Sequence, residues 1–120
     1  MNPDKPACAE ADRAIEQVVE TIRDRYKPER IILFGSRVWG KADDDSDLDV
    51  LIIKDSKKRE VERIREVSRL VRSFQQRPYS LPLDILVKTP EEIRERLAIG
   101  DDFIREIVTR GRVVYERVMV

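Results

Sequence analysis

With 120 residues, the chain is long enough for one hydrophobic core but too short for a core and a separate substrate-recognition domain. We therefore treat residues 1–120 as one domain and expect any acceptor-recognition module to belong to another protein. The 24 basic and 24 acidic side chains cancel. Because a dedicated nucleic-acid binder normally carries a basic excess, free nucleic acid is not expected as a substrate.

The residue types exclude several further kinds of site. Histidine is absent and Cys8 is the only cysteine. These two facts exclude an internal disulfide, the usual zinc sites and every histidine-based catalytic triad. The sequence shows no signal peptide and no apolar stretch long enough to cross a membrane. We therefore expect a cytoplasmic protein without a membrane partner.

The first predicted element is an amphipathic helix. Apolar side chains recur at helical spacing over residues 4–26, and Pro28 ends the pattern. Two short apolar runs follow, residues 31–34 and 50–53, each bounded by turn-type residues. Such runs are typical of buried strands, here joined by a loop or a helical turn.

Two aspartates open the second strand. Side chains at positions i and i+2 of a strand share a face, so Asp47 and Asp49 project together, about 7 Å apart at Cα. Two neighbouring carboxylates repel each other unless a cation lies between them. Mg²⁺ favours this arrangement, because it binds one or two carboxylates together with substrate phosphates.

Gly35 and Ser36, directly after the first strand, supply the complementary half of such a site. Glycine lets a ligand approach the backbone closely, and a helical turn that begins at Ser36 attracts an anion through its free N–H groups and its dipole. The pattern therefore indicates a phosphate cradle that faces a metal site. The alternative is an ordinary turn followed by a solvated acidic loop at residues 43–49, and the spacing alone leaves both open.

The next predicted helix runs from a cap at Asp55 or Ser56 to about Gln76. Glutamates interleave with its basic residues, which predicts i,i+4 ion pairs on an exposed face rather than a nucleic-acid-binding patch. The side chains expected on its buried side are Val61, Ile64, Val67 or Ser68, Val71 and Phe74.

Asp84 lies in the middle of a third apolar run, residues 81–87, which predicts a buried strand. Pro82 indicates an edge position or the start of the strand. An ionised carboxylate is costly to bury, so an acid within such a run usually meets a cation or lies at the edge of a site. The alternative is that Asp84 faces water or pairs with an arginine. Together with Asp47 and Asp49, it would hold a divalent metal against a triphosphate.

Capping patterns predict two more helices. Thr89, Pro90 and Glu92 form a capping box that starts a helix to about residue 99. Asp101 or Asp102 caps the next helix, whose apolar side carries Phe103, Ile104, Ile107 and Val108 and which Gly111 stops. Residues 112–118 predict a last strand at a sheet edge. The order of elements predicts a mixed α/β (α+β) domain with helices packed on a small sheet.

The order Gly-Ser, ten residues, Asp-x-Asp and a later strand aspartate resembles the motif of the minimal nucleotidyltransferases of the DNA polymerase beta superfamily. The resemblance extends from the first helix to residues 111–116. It implies the nucleotidyltransferase fold, a two-metal Mg²⁺ site and ATP as substrate. It further implies that Asp47 and Asp49 ligate the metals, and that Asp84 ligates the second metal and helps to deprotonate the acceptor hydroxyl.

The resemblance also assigns the phosphates to Gly35 and Ser36. Family members usually carry Ala and Arg after the Gly-Ser-Arg segment, where this chain has Val38 and Trp39. The departure leaves open whether one phosphate or acceptor contact is missing, and Arg37 and Lys41 are the candidate substitutes.

A partner is implied as well. Minimal nucleotidyltransferases of this size commonly occur with a small helical HEPN protein as a toxin–antitoxin pair, in which AMP is moved from ATP to a tyrosine of the HEPN ribonuclease and silences it. Similar folds modify antibiotics, which is an alternative. Two others are a binding module that neutralises a HEPN partner by covering it, and a nucleotide sensor that binds ATP without turnover. Self-association is left open by the sequence.

Overall fold

The computed structural model describes residues 4–40, 47–74 and 82–117, and it shows a four-stranded sheet between two layers of helices. In chain order the elements are α1 (Asp4–Thr21), a π-helical turn (Ile22–Tyr26), β1 (Arg30–Phe34), α2 (Ser36–Trp39), β2 (Leu48–Ile53), α3 (Glu60–Phe74), β3 (Leu83–Lys88), α4 (Pro90–Ala98), α5 (Asp102–Arg110) and β4 (Arg112–Glu116). The predicted mixed α/β architecture is confirmed.

The strand order in the sheet is β3-β2-β1-β4. β1 pairs antiparallel with both β2 and β4, whereas β2 and β3 run parallel. The parallel pair places the starts of β2 and β3 next to each other at one end of the sheet. β3 and β4 are its two edges, as Pro82 and the C-terminal residues predicted. Among the helices in the described part of the chain, none combines the length and apolarity of a membrane span.

Alternation along the strands divides the core into two layers. In β1, Ile31 and Leu33 pack on one face with side chains of α1 and α3. Ile32 and Phe34 point to the other face, where α4 and α5 cover them. Both faces of the central strands are therefore buried, which is why β1 and β2 read as continuous apolar runs rather than alternating ones.

The first helix ends at Tyr26, as predicted, but with a last turn of a different kind. Its last turn, Ile22–Tyr26, is π-helical, and both of these residues are buried. The C-cap of the helix is Lys27, which has a left-handed backbone (φ 54°). The Lys27 N–H donates to the Ile22 carbonyl at 3.2 Å. The helix thus closes with a bond to the fifth preceding residue, before Pro28.

The predicted start of the third helix is wrong. Ser56 accepts a hydrogen bond from the Lys58 N–H at 3.1 Å, which closes a local turn, and α3 itself begins only at Glu60. Val61, expected on the buried side, is 47% exposed because it lies in the first turn, whereas Val67 and Val71 are buried as predicted. The side chain of Phe74 and residues 75 and 76 lie outside the described residues.

The helix caps near the C-terminus are confirmed. The Thr89 hydroxyl accepts from the Glu92 N–H at 3.1 Å and the Glu92 carboxylate accepts from the Thr89 N–H at 2.8 Å, a complete capping box for α4. Of the two candidates for α5, Asp101 is the cap, since its carboxylate accepts from the Ile104 N–H at 3.1 Å.

An ion pair that the sequence did not reveal joins α3, β3 and α4. The Arg63 guanidinium, 4% exposed, donates to the Val87 carbonyl at 2.7 Å and to the Glu92 carboxylate at 2.8 and 3.1 Å. Glu92 therefore serves both as a cap and as the partner of a buried cation. The pair fixes β3, and with it Asp84, relative to the helices on both faces of the sheet.

We expect Glu92→Gln to lower the free energy of unfolding at pH 7 by about 1–2 kcal/mol, because it weakens charge-assisted hydrogen bonds to a buried arginine. The Arg63 hydrogen bond chiefly, and the Thr89 N–H, hold the pKa of Glu92 below its usual value. An acid with a lowered folded pKa stabilises the fold above its ordinary pKa and loses that contribution as the pH falls through the folded value. In urea unfolding at pH 7, 5 and 3, the difference in unfolding free energy between the wild type and Glu92→Gln should become smaller at acid pH.

The matched control for that measurement is Glu95→Gln on the same helix. Glu95 is exposed and makes no ion pair with the described residues, so this variant should unfold like the wild type at each pH. A gap between wild type and Glu92→Gln that is as large at pH 3 as at pH 7 would contradict the assignment.

Candidate active site

Three acids meet at the end of the sheet where β2 and β3 begin. Asp49 of β2 lies directly opposite Asp84 of β3 in the parallel register, and neighbouring strands are about 4.8 Å apart. Asp47 precedes β2 by one residue and is exposed. Since paired residues share a face and Asp47 is two positions from Asp49, the three carboxylates predicted to act together lie close in space.

The proximity of the three acids affects the pKa of Asp49. Its partial burial raises the pKa of the carboxyl above the usual value, and the negative charges of Asp84 and Asp47 and a hydrogen bond to Asp84 raise it further. A divalent cation at this position would offset both the burial and the repulsion.

The environment of Asp84 differs from its prediction. The side chain was expected within a buried strand, but β3 is an edge strand and Asp84 is exposed. It lies in the second position of β3, where solvent reaches the face shared with Asp49. Asp84 thus lies opposite Asp49 at a solvent-accessible edge. It is exposed to water, as the alternative interpretation expected, and its position beside Asp49 still suits the predicted metal-binding role.

Gly35 brings the phosphate-binding half of the motif against the acids. Its backbone (φ 83°, ψ −162°) lies in a region that is almost restricted to glycine. A Cβ added there would lie 1.8 Å from Oδ2 of Asp49. The Asp49 carboxylate therefore packs directly on the Gly35 backbone, and the two halves of the site form one surface.

Ser36 begins the four-residue helix α2 and is exposed. The N–H groups of Val38 and Trp39 donate to the Gly35 carbonyl at 2.9 and 2.8 Å. The first N–H groups of a helix lack intrahelical acceptors, so the N–H of Ser36 can donate to a phosphate by helix geometry. Arg37 is half-buried. Lys41 lies outside the described residues, so its predicted phosphate contact stays a prediction.

Trp39, the departure from the family pattern, anchors α2. Its indole Nε1 donates to the Arg110 carbonyl at 2.8 Å, and its ring lies 6.2 Å from that of Phe34. The Arg110 guanidinium lies 5.8 Å from the indole ring. Trp39 therefore holds the Gly35-Ser36 turn against the end of α5. No local sequence pattern could show this, because the two residues are 71 positions apart.

The donor set fits a hard divalent cation. All three candidate ligands are carboxylates, and oxygen ligands suit Mg²⁺ rather than zinc or copper. In the described part of the chain, no three acidic, histidine or cysteine side chains are already arranged as a metal cage. The fit consequently rests on the Asp49–Asp84 pair, whose repulsion a cation relieves, with Asp47 beside it.

A carboxylate pair at the start of two parallel strands, packed on a strand–Gly-Ser–helix turn, is the arrangement predicted for the catalytic edge of a nucleotidyltransferase. Comparison with known proteins agrees. The chain belongs to the family of the nucleotidyltransferase domain, whose model matches residues 15–115, and it is a nucleotidyltransferase enzyme.

Two relatives illustrate the family. A Methanocaldococcus jannaschii protein named "putative protein adenylyltransferase" is 34% identical over 85 residues, which cover 71% of this chain and 77% of the relative. The crystal structure of a "putative nucleotidyltransferase" from Sulfolobus solfataricus shares the fold with a TM-score of 0.63 and 19% identity, over 100% of this chain and 96% of the other. The predicted family, fold and enzyme class are confirmed, and the roles of single residues stay predictions.

Proposed function

We propose that this nucleotidyltransferase moves AMP from ATP to a protein hydroxyl, and that the acceptor is a tyrosine of a partner HEPN toxin, which the modification silences. The observation that carries the proposal is the contact between the Asp49 carboxylate and the Gly35 backbone. It brings a phosphate cradle and an acidic, cation-attracting edge within one ligand's reach. A triphosphate that carries its own divalent cation is the ligand that needs both.

The chain's own groups then have separate tasks. The Ser36 hydroxyl and the backbone N–H groups next to Gly35 bind the β- and γ-phosphates, and the absent Cβ of Gly35 leaves room for the Asp49 carboxylate beside them. Mg²⁺ held by Asp47, Asp49 and Asp84 would supply positive charge to the attacking and leaving oxygens. Asp84 accepts the proton of the acceptor hydroxyl.

The reaction is a single displacement. The acceptor oxygen bonds to the α-phosphorus of ATP, the bond from that phosphorus to the bridging oxygen of the β-phosphate breaks, and pyrophosphate leaves. The proton of the acceptor hydroxyl passes to the Asp84 carboxylate and then to solvent. The exposure of Asp84 at a sheet edge supports this role, because an acceptor from solvent can reach its carboxylate.

Access supports a protein acceptor. Ser36, Asp47 and Asp84 are all exposed, so the reacting edge is open to a side chain that is presented by a large molecule. The name of the Methanocaldococcus relative, a protein adenylyltransferase, points to the same class of acceptor.

The test is to incubate the protein with ATP, Mg²⁺ and the HEPN protein encoded beside it, and to locate any added AMP by tandem mass spectrometry. We expect AMP on a tyrosine, loss of the modification when that tyrosine is changed to phenylalanine, and a parallel loss of the partner's ribonuclease activity. A stable complex without added AMP would instead favour neutralisation by binding. AMP on a small molecule only would overturn the choice of a protein acceptor.

A further inference from the structure

A basic cleft lies at the opposite end of the sheet from the acids. It has a volume of about 430 Å³, and the residues that line it are Arg25, Tyr26, Lys54, Ser56, Lys58, Glu66, Arg69 and Leu70. Lys54 follows the last residue of β2, whereas Asp49 lies near its start. At about 3.3 Å per residue, the two are roughly 16 Å apart along the strand, so the cleft is separate from the transfer site.

Lys54 provides a charge without a charged partner. Its ammonium donates to the Tyr26 carbonyl and lies 4.0 Å from the centre of the Tyr26 ring. Among the described residues, it makes no ion pair with a carboxylate. Partial burial lowers the pKa of Lys54; the negative charge of Glu66 opposes this effect, and the positive charges of Lys58 and Lys27 add to it. A partly desolvated cation held by a neutral carbonyl and a ring is favourable to an incoming anion.

The remaining charges of the cleft leave a positive excess. Lys58 is paired with Glu66 at 2.9 Å. The guanidinium of Arg69, one helical turn beyond Glu66, makes no ion pair with the residues that the structure describes. Four basic side chains therefore face one carboxylate across the cleft. Lys54 and Arg69 therefore contribute two positive charges that form no ion pair with the described residues, and a phosphate group with two negative charges would match them.

We propose that this cleft binds a small anion with two or more negative charges on phosphate groups, at a second site distinct from the transfer site. A guanidinium presents paired donors that match phosphate oxygens, and lysine supplies a compact charge. The volume lies within the range of small-molecule sites, about 300–1,000 Å³. The Tyr26 ring and Leu70 form the apolar part of the wall, which suits a nucleoside attached to the phosphates.

Calorimetric titration with inorganic pyrophosphate and with ATP tests the proposal. A metal chelator is present in both titrations, so that metal-dependent binding at the transfer site does not contribute. We expect one equivalent of pyrophosphate to bind, with affinity at least about tenfold weaker in Lys54→Gln/Arg69→Gln, a change of about 1.4 kcal/mol. Arg69→Gln alone should weaken binding without any effect on folding, because Arg69 is exposed. Much tighter binding of ATP than of pyrophosphate would identify a nucleotide ligand, and equal binding a ligand recognised by phosphate alone; both support the site.

The control is Arg94→Gln/Arg105→Gln, which removes the same charge from exposed positions on α4 and α5, the helices of the other layer. An equal loss of pyrophosphate affinity in both double variants would show that the affinity depends only on net charge, and would overturn the proposal. Failure of pyrophosphate and ATP to bind would overturn it too, as would tighter binding of a short single-stranded RNA through the same residues. Asp49→Asn should leave the binding intact, so a failed transfer reaction does not decide this test.

Discussion

Replacing Asp49 by asparagine is expected to reduce the rate of nucleotidyl transfer by at least ~10³-fold, which corresponds to about 4 kcal/mol of transition-state stabilisation. Asparagine keeps the shape of the side chain but removes the negative charge that, with Asp84, attracts a divalent cation. Transfer measured with saturating ATP and Mg²⁺ checks this result. Activity within tenfold of the wild type would contradict the role of Asp49.

The same variant should be as stable as the wild type, or more stable, when metal is chelated. Burial and the neighbouring acids raise the pKa of Asp49 in the folded protein, so its charged form opposes folding increasingly as the pH rises through its ordinary pKa toward neutrality. Asparagine removes that penalty. Asp12→Asn, an exposed acid of α1, is the control and should change neither property. Thermal unfolding in chelator at pH 7 distinguishes lost chemistry from lost structure.

Replacing Gly35 by alanine is expected to abolish detectable transfer, with a loss of stability of about 1–3 kcal/mol from the backbone conformation alone. The new Cβ would lie 1.8 Å from Oδ2 of Asp49. Since no such contact is possible, either the Asp49 carboxylate or the Gly35-Ser36 turn must move. Either movement separates the phosphate-binding half of the site from the acidic half.

Gly100→Ala is the matched control for that substitution. Gly100 has nearly the same φ, 82° against 83° for Gly35, but an added Cβ meets no atom within 4 Å. It should therefore carry a cost in backbone strain of the same kind, about 1–3 kcal/mol, and keep full transfer activity. Chemical unfolding of both variants measures the cost of backbone strain, and transfer assays measure the effect of displacing Asp49. Full activity in Gly35→Ala would contradict the proposed packing of the site.

Features with local causes could be predicted from the sequence. The period-2 geometry of strands placed Asp47 and Asp49 together, and the capping box at Thr89 needs only residues three apart. Asp84 was selected because a carboxylate interrupts an apolar run, although the structure shows it exposed at an edge. Its position opposite Asp49 agrees with the predicted cluster, but the burial that suggested it was not observed, and its role stays a prediction.

Features that depend on distant residues could not be predicted. Arg63 resembles its neighbours in a charged helix, yet it is buried because it reaches Glu92, 29 positions away. The sequence left open whether a ligand contact is missing at Trp39; its packing role could not be predicted, since its partner Arg110 comes from another helix. The cleft around Lys54 joins the π-helical turn, the end of β2 and α3, three elements without a shared motif.

The most direct test of the central claim follows the phosphates of ATP. The protein is incubated with Mg²⁺, the HEPN protein proposed as acceptor and ATP labelled at either the α- or the γ-phosphate, with the wild type compared to Asp49→Asn. A nucleotidyltransferase that uses the edge formed by Gly35, Asp49 and Asp84 leaves α-label on the acceptor, releases γ-label as pyrophosphate and loses both signals in Asp49→Asn. Transfer of γ-label to the acceptor, or transfer of α-label that survives in Asp49→Asn, would contradict it.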